Sequence, residues 1–307
     1  MIPHRPTRRS FLAATVAAGA CVGWPSLARA AEEPAMNARA IPSTGETIPI
    51  IGMGTWQTFD PPQQDAATIA TLTEVLRTFH AAGGRVIDSS PMYGRSEAVA
   101  GELSTKLNVN ADLFIATKVW TRGEQQGARQ MRQSLDELKR EKIELMQVHN
   151  LVDWRTHLKT LRQWKEDGRI KYIGVTHYVP SAFDELERIV KEASIDFLQL
   201  PYSLGTRDAE QRLLPAARDK GVATLINRPF EEGSLFRAVR GKELPPAVKT
   251  FASSWGEAFL KFILANDAVT CVIPATSNPK HMADNVRAGF GRLPDAAERK
   301  ALLAVIA

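Results

Sequence analysis

Short β-branched runs recur along this chain at intervals that each leave room for one helix. They fall at 50–54 (IIGMG), 85–88 (RVID), 113–118 (LFIATK), 143–149 (IELMQVH), 170–175 (IKYIGV), 196–200 (DFLQL), 222–226 (VATLI) and 269–273 (VTCVI). Between them, 65–82 carries Ile69, Leu72, Leu76 and Phe79, and 180–193 carries Phe183, Leu186, Ile189 and Val190. That spacing of three and four residues is the repeat of a helix with one apolar face. Apolar strands separated by whole helices pair in parallel, because a helical crossover returns the chain to the same end of the sheet. Eight such units in about 250 residues predict a closed (β/α)8 barrel. The segment 42–46 (PSTGE), between Ile41 and Ile48, predicts an N-terminal β-hairpin at one end of it. A doubly wound open sheet is the alternative, but its glycine fingerprint is missing: Gly52-x-Gly54-Thr55-Trp56 has no third glycine.

The first thirty residues have a different character. Arg5, Arg8 and Arg9 precede an apolar, alanine-rich stretch from Phe11 to Gly23, and Ala28-Arg29-Ala30 offers small residues where a signal peptidase reads. Thr7-Arg8-Arg9-Ser10-Phe11-Leu12 resembles the twin-arginine export motif. The expected organisation is a signal peptide over 1–30, cleaved near Ala30, and a barrel domain over 31–307. Export by the twin-arginine (Tat) machinery would place the mature chain in the periplasm with one cysteine, Cys271, and no internal disulfide. The apolar stretch is short for a membrane span, so no stable membrane anchor is expected. The formal charge of +5 owes four of its arginines to this leader, and the rest is nearly neutral, without basic runs. Nucleic acid is therefore not an expected partner.

Catalytic groups of such barrels sit at the carboxyl ends of strands and in the loops that follow. The polar residues there are Asp88 with Tyr93 in the next loop, Lys118, His149 and Asn150, Thr176 and His177, Gln199 and Tyr202, Asn227 and Arg228, Thr276 and Ser277. Asp88, Tyr93, Lys118 and His149 form a complementary set. A phenol is a reluctant acid at neutral pH, and a nearby ammonium is expected to lower its pKa. Lys118 can supply that ammonium, Asp88 can keep it charged, and His149 can donate to an oxyanion. The set reads as a tuned general acid facing a polarised carbonyl.

The segments Ile87-Asp88-Ser89-Ser90-Pro91-Met92-Tyr93-Gly94 with Ser96-Glu97, Ala116-Thr117-Lys118 and Gln147-Val148-His149-Asn150 together resemble the aldo-keto reductases. The likeness runs over 41–292, through Gly52-Met53-Gly54-Thr55-Trp56, Gln199-Leu200-Pro201-Tyr202-Ser203, and Ile273-Pro274-Ala275-Thr276-Ser277 with Asp284-Asn285. The resemblance implies reversible NAD(P)H-dependent reduction of a small-molecule aldehyde or ketone. Tyr93 would be the acid, tuned by Lys118 and Asp88, and His149 would orient the carbonyl. The cofactor would be NADP, with NAD as the alternative. By the same resemblance Gly54, Thr55, Thr176, His177, Gln199, Asn227, Arg228, Thr276, Lys280, His281, Asp284 and Asn285 contact the nucleotide, and Trp56, Trp120 and Asn150 line the substrate pocket. The chain departs from the family pattern where Asn227-Arg228-Pro229-Phe230 replaces an aromatic platform for the nicotinamide. It departs again where Ala275 and His281, with Lys280 adjacent, stand in place of the usual 2′-phosphate cations.

Two competing readings belong to other classes. Asp88, His149 and His177 could ligate a divalent metal, although strands five to eight end without carboxylates. A nucleotide-holding periplasmic scaffold is the second, motivated by the lack of reduced nicotinamide outside the inner membrane. Of the remaining residues, His80 and His157 read as surface or packing histidines, and Trp154, Trp164, Phe183 and Phe262 as helix-face core. Cys271 reads as a small buried hydrophobe.

Overall fold

The computed structural model describes residues 35–62 and 65–306; the leader read over 1–30 lies outside them. The chain begins with a hairpin of β1 (Ala38–Ala40) and β2 (Thr47–Pro49), paired antiparallel. The units that follow are β3 (Met53–Gly54) and α1 (Ala66–Ala81), β4 (Val86–Asp88) and α2 (Ser96–Lys106), β5 (Phe114–Val119) and α3 (Glu124–Glu137), and β6 (Ile143–His149) and α4 (Trp154–Glu166). The second half runs β7 (Ile170–Thr176), α5 (Phe183–Glu192), β8 (Phe197–Pro201), α6 (Leu213–Asp219), β9 (Ala223–Asn227), α7 (Ser234–Ala238), α8 (Pro246–Lys249), α9 (Trp255–Leu264), β10 (Cys271–Val272), α10 (Pro279–Arg287) and α11 (Ala296–Ile306).

Among the described residues, β3 to β10 form one sheet in sequence order, every pair parallel. Bridges Ile51↔Val272 and Gly54↔Ala275 join the first strand to the last and make a barrel. Closure explains two glycines. A Cβ on Gly54 would stand 2.9 Å from the Ile273 carbonyl oxygen, and one on Gly52 would stand 2.9 Å from Ile273 Cγ2. The closing strands are shorter than the runs at 50–54 and 269–273, because the seam holds through isolated bridges rather than a full ladder.

Successive side chains of a strand point to opposite faces. Val86, Phe114, Leu145, Tyr172, Phe197, Ala223, Leu225 and Cys271 pack together inside the barrel, with Ile41 and Ile48 of the hairpin among them. Val86, Phe114, Leu145, Tyr172, Phe197 and Ala223 stand in the amino-terminal halves of their strands, and Ile41 and Ile48 cluster with them, so the hairpin closes that end. Tyr172 secures it, its hydroxyl bonded to Thr44 Oγ1 at 2.7 Å and to the Glu46 carboxylate. The apolar faces of the helices meet the outer faces of the strands in a second, larger core that includes Leu72, Leu76, Phe79, Leu186 and Ile189. No helix among the described residues is long and apolar enough to cross a membrane.

Candidate active site

The two-residue period that puts Val86, Phe114, Leu145 and Phe197 inside the lower barrel puts Asp88, Lys118, Gln147, His149 and Gln199 on the same inner face nearer the carboxyl end. Register aligns them across neighbouring strands, with Lys118 opposite Gln147, His149 opposite Thr176 and Thr176 opposite Gln199. Polar groups are thereby gathered in a barrel interior that is otherwise apolar.

Lys118, with no solvent exposure, donates to Asp88 Oδ2 at 2.7 Å and to the Ser89 carbonyl at 2.6 Å. Asp88 Oδ1 accepts from Gln199 Nε2 at 2.7 Å and from Gln147 Nε2 at 3.3 Å. Thr176 Oγ1 in turn donates to Gln199 Oε1 at 2.9 Å. A buried ion pair is tolerable only when its remaining hydrogen-bonding capacity is met, and here three neighbours, the Ser89 carbonyl, Gln199 and Gln147, meet it, with Thr176 holding Gln199 in turn.

Tyr93 reaches this pair from a turn. Its N–H donates to the Ser90 carbonyl at 2.9 Å across Pro91 and Met92, and Gly94 follows at φ +60°. A side chain at Gly94 would collide with the Asp60 carboxylate, which holds the next residue by accepting from Arg95 N–H at 3.0 Å. The Lys118 ammonium lies 4.9 Å from the centre of the Tyr93 ring. The ring packs on Trp56 at 4.8 Å and meets His149 edge-on at 5.6 Å. His149 is buried, with Nδ1 3.0 Å from Ser90 Oγ.

Burial raises the Tyr93 phenol, Lys118 pulls it down and Asp88 pushes it up, and the outcome lies above its ordinary 10.0. The lowering expected from the ammonium is thus outweighed by desolvation. Burial also opposes the Lys118 charge, but Asp88 and Tyr93 more than restore it, and its pKa is raised. Burial first, then Lys118 and His177, drives His149 down to about 2. The centre therefore holds a protonated phenol, an ammonium and a neutral imidazole at neutral pH.

Trp56 and Trp120 are exposed at the mouth, with Trp120 6.4 Å from His149. Asn150 follows His149 in left-handed conformation with its buried Oδ1 unpartnered. Asn227 donates to the His177 carbonyl at 3.2 Å, and its buried Oδ1 likewise lacks a donor. A carboxamide ligand would supply one, so the inner mouth suits a nicotinamide. His177 Nδ1 accepts from Tyr178 N–H at 3.0 Å, and Arg228 is paired with Glu232 at 2.8 Å.

Other nucleotide candidates lie apart from the charged cluster or are committed elsewhere. Thr55 is fully buried, its hydroxyl 3.0 Å from the Asp88 carbonyl and 2.9 Å from Ser89 Oγ. Gly54 serves the seam, and the Gln199 amide is held by Asp88 and Thr176. Thr276 Oγ1 accepts from Asn278 N–H at 3.1 Å, and Lys280 and His281 are exposed on the first turn of α10. Asp284 takes the Ser254 hydroxyl at 2.7 Å, and Asn285 is buried on the same helix. The sequence reading gave no role to Ser90, Gln147 or Glu97. Gln147 carried a legible signal, since it precedes His149 by two and must share its face. Among the described residues, no three His, Cys, Asp or Glu side chains gather as a metal site would require.

Residues 50–299 match the model of the aldo/keto reductase family. Aldo-keto reductase YhdN of Bacillus subtilis is 26% identical over 206 residues, which cover 62% of this chain and 61% of that protein. The NADH-specific methylglyoxal reductase of Escherichia coli is 25% identical over 237 residues, covering 66% and 70%. An aldo/keto reductase from Klebsiella pneumoniae, solved with NADP and acetate, superposes with a TM-score of 0.72 at 19% identity, over 85% of this chain and 93% of that one. A barrel with this order of strands, closed by an N-terminal hairpin and matched over most of its length, leaves one assignment: the chain belongs to the aldo/keto reductase family and is an oxidoreductase of that kind.

Proposed function

We propose that the chain reduces an aldehyde or ketone to the alcohol with NADP(H), or with NAD(H), and that Tyr93 is the proton donor. The observation that carries this reading is the fully buried Lys118 ammonium, held by Asp88 and facing the Tyr93 ring. The family match and the NADP found in the Klebsiella structure support the cofactor. When bound, the nicotinamide supplies the hydride that reaches the carbonyl carbon.

The residues do the rest. The carbonyl oxygen gains negative charge as its carbon takes the hydride, and Tyr93 delivers its phenolic proton to that oxygen. The phenol is protonated beforehand because burial holds its pKa up. The phenolate left behind is stabilised by Lys118, whose charge Asp88 secures. His149, neutral and buried, donates a hydrogen bond to the same oxygen without adding a competing charge. Solvent then reprotonates Tyr93. Specificity is assigned to the loops at 120–127, 203–208 and 230–248, which vary freely on such a scaffold.

Steady-state oxidation of NADPH and NADH with a generic aldehyde tests the reading. Tyr93→Phe should reduce turnover by about 10²- to 10⁴-fold with nucleotide affinity unchanged, the usual worth of a positioned acid. A Phe variant that keeps its rate would remove Tyr93 from the chemistry. Purification with tightly held nucleotide but no turnover would favour the scaffold reading. Export by the twin-arginine route is part of the same proposal, supported by Arg8-Arg9 before the apolar stretch. Replacing both arginines by lysine should keep the chain in the cytoplasmic fraction.

A further inference from the structure

Ser90 stands between the two groups that face the carbonyl. Its carbonyl oxygen accepts the Tyr93 N–H at 2.9 Å and so closes the turn carrying the phenol. Its hydroxyl, fully buried, lies 3.0 Å from His149 Nδ1 and accepts the Met92 N–H at 3.3 Å. These contacts leave two ways to place protons. If Nδ1 carried the ring proton and donated to Ser90, the hydroxyl oxygen would receive two donors. Its own proton would then have no acceptor among the described residues, a costly state for a buried hydroxyl. If the hydroxyl donates to Nδ1, every group is satisfied and the single proton of the neutral ring sits on Nε2. That nitrogen makes no hydrogen bond among the described residues, and the His149 ring meets Tyr93 edge-on and Trp120 at the mouth.

We propose that Ser90 is a positioning residue: its hydroxyl donates to His149 Nδ1, fixing the ring as the Nε2–H tautomer and tying its orientation to the turn that presents Tyr93. Which nitrogen of an imidazole is protonated is set by the partner of the other one. A ring of the opposite tautomer would present a lone pair to the carbonyl oxygen and repel it. The inference rests on His149 acting as the donor proposed above, but its structural half is independent of that reading.

Histidine-ring nitrogen NMR of the unsubstituted protein, with the His149 signal assigned by its loss in His149→Gln, should show Nε2 protonated and Nδ1 bare. A protonated Nδ1 overturns the proposal, and this arm carries no risk of misfolding. Ser90→Ala should mix the two tautomers and lower kcat/KM about tenfold, the worth of one hydrogen bond, with nucleotide affinity unchanged. Ser90→Thr, which keeps the hydroxyl, should restore both the ring signature and the rate. A pure Nε2–H ring in Ser90→Ala, or no recovery in Ser90→Thr, defeats the assignment. A chain without carbonyl turnover would still report its tautomer, so failure of the catalytic reading and failure of this inference are distinguishable.

Discussion

Lys118 Nζ and Asp88 Oδ2 are 2.7 Å apart, and neither side chain is more than 5% exposed. The carboxylate is shared, since its second oxygen serves Gln199 and Gln147. A pair held this way stabilises the chain only while complete. Lys118→Met should therefore abolish reduction and cost about 3–5 kcal/mol of stability, because it strands a buried carboxylate. Asp88→Asn added to Lys118→Met should recover most of that stability in urea unfolding and none of the activity. A double variant no more stable than the single one would show that the pair is not energetically coupled.

The pH profile follows from the directions of the shifts. Reduction needs Tyr93 protonated, and its pKa lies above 10.0, so kcat/KM should hold across the neutral range and fall only in strong alkali. The His149 ring should give no break near its ordinary 6.5, being held down at about 2. Stability should respond instead. With the folded pKa depressed, the unfolded chain takes up a proton below 6.5 that the folded chain refuses, so stability contributed by His149 is lost as pH falls from 6.5 toward 2. His149→Gln should flatten that part of a melting-temperature profile; an unchanged slope would mean that the imidazole is not held neutral by the fold.

Much of this centre was legible because strands alternate. Asp88, Lys118 and His149 are polar residues ending runs of apolar ones, and period two puts them on the face that Val86, Phe114 and Leu145 line. Tyr93 was legible through its place just after Asp88, in a turn spelled by Pro91 and Gly94. The net rise of its pKa was not, because desolvation depends on Trp56 and the strands packed around it rather than on neighbours in sequence. Gln199 illustrates the same limit: its strand-end position says that it faces inward, but only the barrel's closure brings it from the sixth strand to the carboxylate of the second. Serines 89 and 90 look alike on paper. The turn sends Ser89 Oγ toward Thr55 and Ser90 Oγ toward His149.

Glu97 is buried one layer outside the barrel, accepting from the hydroxyls of Thr117 and Ser134, and burial raises its pKa to about 7 against a usual 4.5. The folded chain keeps a proton that the unfolded chain releases, so Glu97 should make stability fall as pH rises from about 4.5 to about 7. Glu97→Gln carries no such charge, and its stability relative to the parent should increase over that window and then level off. Melting temperatures of both proteins at a series of pH values check this. A constant difference between them would mean that Glu97 titrates normally.

Nucleotide preference turns on the loop after the last strand. Ala275 is exposed there, Asn278 caps α10 by accepting from Lys280 N–H at 2.9 Å, and Lys280 carries the positive charge nearest in sequence. A 2′-phosphate resting against Ala275 gains no charge-assisted hydrogen bond from it, so NADPH and NADH should bind with similar affinity. Ala275→Lys would add an ammonium at an open position and should favour NADPH by about tenfold, leaving NADH unaffected. The gain should shrink as salt is raised, since an exposed pair is screened. Fluorescence titration of both nucleotides at two ionic strengths distinguishes the outcomes. If the lysine leaves NADPH binding unchanged, Lys280 or Arg228 already answers the phosphate, and the preference for NADPH was present without it.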